Sequence, residues 1–194
     1  MAGHGSMSDS MNSPPSHDEA IEATRLWLER AVIGLNLCPF AKAVQRKGQV
    51  RYVVSDAQQP LQLHADLVRE LELLRDADPE TVDTTLLIHP FVLGDFMDFN
   101  EFLEVADATV ADLQLEGDIQ VASFHPDFQF EGTVADDITN YTNRSPFPTL
   151  HLLREASIDR AVAAFPDAAA IFETNMETLE KLGHEGWRKL FVEP

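Results

Sequence analysis

Apolar residues at helical spacing alternate along this chain with short runs of β-branched and aromatic residues. Ile21, Leu28, Ala31, Val32 and Leu35 form one stripe, interrupted by Thr24, and predict a helix over 18–35. Gly34 and Asn36 are its stop signals. Proline is preorganised for the first position of a helix, so Pro39 predicts a short helix over 39–46, with Cys38 as N-cap and Gly48 at its end. QVRYVVS at 49–55 reads as a strand. Pro60 opens a helix over 60–75 with Leu67, Leu71 and Leu74 on one face, and TTLLI at 84–88 is a second strand. Asp98 is the expected cap of a third helix, because Glu101 stands in capping-box position. Phe99, Phe102, Leu103, Ala106, Val110 and Leu113 are its core face, and Gly117 ends it.

A third strand is expected at 118–124, and a long polar crossing separates it from the next apolar run at Leu150. Residues 149–153 read as a fourth short strand, or as the start of a helix. Two closing helices follow at 157–164 and 167–182, with Gly183 as the C-terminal cap. Strands separated by amphipathic helices imply crossover connections. The expected fold is therefore a single α/β domain over 18–194, with a small, mostly parallel sheet of about four strands flanked by helices. Residues 1–17, MAGHGSMSDSMNSPPSH, are small and polar and read as a disordered tail, with a Gly-Ser before Met7 of the kind cloning leaves behind.

The chain has 194 residues, enough for one domain with a substantial core. Its formal charge of -19 opposes nucleic acid, whose binding depends on basic side chains neutralising phosphates, and opposes anionic membranes. One cysteine makes no internal disulfide, and no apolar run approaches the roughly 20 residues that span a bilayer. A cytoplasmic protein without nucleic-acid or membrane partners is expected.

The phrases AVIGLNLCPFAK, VRYVVSDA, DTTLLIHPFVL, VASFHPDFQFEGT and NYTNRSPFPTLHLLREASIDRA resemble the family catalogued as domain of unknown function 1415. The resemblance covers roughly residues 20–187. It implies a single-domain soluble protein and carries no assigned reaction.

Chemistry concentrates at two places. TTLLI-His89-Pro90 and VASF-His125-Pro126 each put a histidine where an apolar strand stops, with proline forcing an extended exit. On parallel strands both imidazoles would leave the same sheet edge, where α/β proteins bind ligands. There they would serve as acid/base groups or metal ligands; alone, each would simply hydrogen-bond loop backbone. Cys38, near Lys42, Arg46 and Lys47, would be a thiolate nucleophile or a soft ligand, or else a small buried hydrophobe. Cys38, His89 and His125, with Asp127 completing the set, would make an open site for a divalent transition metal such as zinc or iron.

The second place is the crossing at 125–148. Phe128, Phe130, Tyr141 and Phe147 predict that it is ordered, because disordered segments are poor in aromatics. Asn140, Tyr141, Asn143, Arg144 and His151 are the expected substrate-binding residues, with Arg144 anchoring an anionic group, unless Asp136 or Asp137 neutralises it. Two functions follow: an enzyme acting on a small anionic molecule through a Cys/His site, or a non-catalytic module binding a ligand or protein through the loop.

Overall fold

The computed structural model describes residues 13–164 and 168–192. The first helix, α1 (His17–Trp27), starts at Ser16, whose hydroxyl accepts from the Glu19 amide while the Glu19 carboxylate accepts from the Ser16 amide. It continues as a π-helical turn over Leu28–Ile33. Gly34 closes that turn, and only glycine fits there, because a Cβ would sit 2.2 Å from the Arg30 carbonyl oxygen. Ala20, Thr24, Trp27, Leu28, Ala31 and Val32 are buried, and the Thr24 hydroxyl, the polar interruption of the stripe, donates to the Ala20 carbonyl.

The short helix α2 (Ala41–Arg46) is capped by Phe40 and not by Cys38. Cys38 instead lies in the preceding turn, where its carbonyl accepts from the Ala41 amide. Then follow β1 (Val50–Val54), α3 (Pro60–Asp76), β2 (Thr84–Ile88), α4 (Phe96–Asp112), β3 (Ile119–Phe124), a 3-10 turn at Ile138–Asn143, β4 (Thr149–Arg154), α5 (Glu155–Ala164) and α6 (Ala168–Lys189). The expected tail overlaps the described residues only from 13 onward. The expected start of the last helix at Asp167 also lies outside them. Gly183, at φ 65 and ψ 174, breaks the helix as expected, and a second helical segment of α6 runs on from it to Lys189. No helix among the described residues is long and apolar enough to cross a membrane.

The four strands form one sheet in the order β1-β2-β4-β3. Only β1 and β2 pair parallel; β4 runs antiparallel to both β2 and β3. The sheet is thus mixed, where a mostly parallel one was expected. The cause is the connection between β3 and β4: it carries a 3-10 turn in place of a crossover helix and stays at one end of the sheet. The chain must therefore re-enter in the opposite direction.

Side chains alternate across the sheet. Val53, Leu87, Val121, Leu150 and Leu152 pack with Leu63, Leu67, Leu71, Leu74, Phe99, Phe102 and Ala106 of α3 and α4. Tyr52 and Phe124 face the other way, onto Trp27, Leu28, Ala31 and Val32. At the sheet's β1 end, Arg51 binds Glu70 through two contacts, Nε–Oε2 at 2.8 Å and Nη2–Oε1 at 3.2 Å. The Glu70 side chain is only 2% exposed, and Arg69 lies 3.7 Å from it as a second, weaker partner. Arg51→Met strands a buried carboxylate with that weaker partner alone. A loss of about 2 kcal/mol of unfolding free energy is expected. Urea unfolding measures it; a loss indistinguishable from zero would show that Arg69 suffices.

Candidate functional site

β1, β2 and β3 all point the same way, so β2 and β3 deliver His89 and His125 to one edge of the sheet. β4 begins between them. The His89 amide donates to the Pro148 carbonyl and the His125 amide to the Asn143 carbonyl, which ties both strand ends to the loop. Both side chains turn toward α4, where they share one ring: Phe99 lies 5.6 Å from His89 and 5.0 Å from His125, centroid to centroid.

The hydrogen bonds define both rings. His89 Nδ1–H donates to the Val92 carbonyl at 3.0 Å, so Nε2 carries the lone pair, and it is buried with no partner among the described residues. His125 Nε2–H donates to the Leu93 carbonyl at 3.1 Å, while its Nδ1 accepts from the Asp127 amide at 3.0 Å. Burial is the main cause that pushes the His89 pKa down to about 4, and it lowers His125 as well. Leu93 holds its carbonyl on His125 from a left-handed conformation, φ 58. Such strain in a bulky residue often accompanies functional sites.

Cys38 does not join this pair. It packs against the Trp27 cluster on one face of the sheet, whereas both histidines stack on Phe99 on the other. Among the described residues no group of three or more His, Cys, Asp or Glu side chains is arranged to hold a metal ion. The expected ligand set Cys38, His89, His125 and Asp127 therefore lacks a common centre. His151 also faces away from the pair. On β4 it lies 5.8 Å from Phe124, with Nε2 2.7 Å from the Thr84 hydroxyl, which itself donates to the Leu152 carbonyl. Burial pushes His151 down to about 4 as well.

The 125–148 crossing is folded on itself, as its aromatic content predicts. Asn140 is its internal hub. Its Oδ1 accepts from the Phe130 amide and the Thr133 hydroxyl, and its Nδ2 donates to the Val134 carbonyl. Asn143 Nδ2 reaches back to the Ser123 carbonyl. A ring contact chain runs from His125 through Phe96, Phe128 and Phe130 to Phe172 on α6. Tyr141 contacts both His184 and Trp187 of α6.

Arg144 is the point where these contacts converge. Its Nε donates to the Phe128 carbonyl at 3.1 Å, its Nη2 donates to the Ala135 carbonyl, and its guanidinium carbon lies 4.5 Å over the Tyr141 ring. The ion pair anticipated with Asp136 or Asp137 does not form. Asp136 Oδ1 lies 3.3 Å from His184 Nε2, and Asp137 caps the 3-10 turn through Thr139. Arg144 lines a depression of about 490 Å3 together with Asp95, Met97, Asp127 and Asp136. It also borders an aromatic cleft of about 330 Å3 between Trp27, Tyr141, Trp187 and Phe191.

The α4 wall of the depression was missed in the sequence. Asp95, not Asp98, caps α4, accepting from the Met97 and Asp98 amides. The Asp98/Glu101 spacing imitates a capping box, yet the helix begins a turn's length earlier, and this brings Gly94, Asp95 and Met97 to the rim.

The fold and site together define an α/β protein with a four-stranded mixed sheet and a loop-roofed depression beside the ends of β2 and β3. A family model described as a protein of unknown function, DUF1415, matches residues 19–189, and the chain belongs to that family. No curated protein and no solved structure matches it.

Proposed function

We propose that the protein is a cytoplasmic module that binds a small molecule carrying a carboxylate or phosphate, seated in the depression between the start of α4 and the 125–148 loop. The observation that carries this reading is Arg144. Two carbonyls and an aromatic face fix its guanidinium, and no carboxylate among the described residues lies within ion-pair distance of it. A guanidinium oriented without being neutralised is preorganised for a charge-assisted bond to an incoming anion. Folding has already met the cost of ordering the loop, through Asn140 and the ring contacts, so binding need not.

Less supports a Cys/His reaction centre. Cys38 and the two histidines lie on opposite faces of the sheet, and His125 spends both ring nitrogens on backbone. The arrangement favours binding over catalysis.

Arg144→Gln keeps much of the side chain's length and removes the charge. With a library of small carboxylates and phosphates screened by thermal shift and measured by calorimetry, binders of the native protein are expected to lose at least about tenfold in affinity, the cost of one charged hydrogen bond. The circular dichroism spectrum should be unchanged. Binding that survives intact in the folded variant would remove Arg144, and with it this site.

A further inference from the structure

The depression around Arg144 is not simply positive. Asp95, Asp127 and Asp136 line it too, three carboxylates to one guanidinium, in a chain of formal charge -19. A ligand that is only an anion gains Arg144 and is repelled by its neighbours. A ligand that is only a cation gains the carboxylates and is repelled by Arg144. The arrangement best satisfies a molecule carrying both signs close together.

The three carboxylates are not equivalent. Asp95 Oδ1 is occupied by the capping amides, and Asp136 sits against His184. Asp127 has no hydrogen bond or ion pair from its carboxylate among the described residues; only its amide is engaged, on His125. Asp127, Asp95 and Arg144 line the same depression, beside the His125 end of β3. Met97, 62% exposed, stands at the same rim as an apolar surface.

We infer that the ligand of this site is a zwitterion of the amino-acid type, its carboxylate on Arg144, its ammonium toward Asp127 and Asp95, and its side chain over Met97. This rests on the binding function proposed above and names its ligand class. An α-amino acid carries its two charges on one carbon, so a single molecule offers both signs to the opposed groups that line this depression. The matching 2-hydroxy acid keeps shape and carboxylate but lacks the ammonium.

The test compares the full-length protein with its Asp127→Asn and Arg144→Gln variants. Calorimetry is run with L-leucine, L-phenylalanine and L-glutamate and with their 2-hydroxy acid counterparts. At least one amino acid should bind tenfold or more tightly than its hydroxy acid. Asp127→Asn should erase that preference by weakening the amino acid, while leaving the hydroxy acid equal or tighter as repulsion is relieved. If hydroxy acids bind as well as amino acids, Arg144→Gln abolishes both and Asp127→Asn changes neither, the ligand is a plain anion; the inference falls and the binding function stands. If none of the six binds, the zwitterion inference is overturned, and the carboxylate and phosphate library alone decides the binding function.

Discussion

Phe99→Ala is expected to cost about 3–5 kcal/mol of unfolding free energy, the range for removing a fully buried aromatic side chain. Phe99 is 0% exposed and lies in the core among the leucines of α3. Its ring is also the shared floor beneath His89 and His125. The cavity left behind would open beneath both imidazoles, with His125 keeping its contact to Phe96 at 5.4 Å. The surroundings would collapse only in part, because the strand ends are tied to the loop through the Pro148 and Asn143 carbonyls. Urea unfolding measures the loss, with Phe99→Leu as a milder control expected to retain most of the stability. A Phe99→Ala loss of about 1 kcal/mol or less would mean that the site collapses freely and that the two histidines are not held by this ring.

The second large effect is on pH dependence. Burial lowers the folded-state pKa of His89 from 6.5 to about 4. As pH falls, the unfolded chain takes up a proton first, so the contribution of neutral His89 is complete above about pH 6.5 and is lost progressively toward pH 4. Over that window it amounts to about 3 kcal/mol. His151 shifts in the same direction, to about 4, and His125 is lowered too. A countervailing effect runs alongside, because protonating a chain of charge -19 relieves its self-repulsion. His89→Gln separates the two. The variant keeps the overall charge behaviour but has no imidazole to titrate at 89, so its stability deficit relative to the native protein should shrink from pH 7 to pH 4.5. A deficit that stays constant, or a His89 ring resonance titrating near 6.5, would mean that this imidazole is solvated in the folded state.

Most elements were legible in the sequence because local physics determines them. The strand TTLLI appears at Thr84–Ile88 as expected, and Pro60 opens its helix. The 125–148 crossing was marked by its aromatics and its polar side chains, and it is where the candidate site lies. That both histidines reach one edge of the sheet depended on β2 and β3 running the same way, which they do, each antiparallel to β4.

The alternation along β3 already separates Phe124 from His125, yet nothing local relates that face to Cys38. The sequence could not say that Cys38 packs on the Trp27 side. Nor could it say that Asp136 would lie beside His184, because that contact joins the loop to a residue beyond the Gly183 kink. The cap of α4 was misplaced for a different reason: two aspartates three residues apart offer the same chemistry, and packing of Phe96 against His125 and Phe128 accompanies the earlier start.

By itself, then, the sequence determined most of the helices and strands, with 149–153 left open between the two, the ordering of the long loop, and the presence of one arginine among its acids. Spacing and side-chain chemistry encode those within a few turns of chain. Tertiary structure decided the direction of β4, the separation of Cys38 from the histidines, and the freedom of Arg144 from an ion pair. An apolar strand pattern reads the same in either direction, and whether a charge finds a partner depends on which distant residue reaches it first.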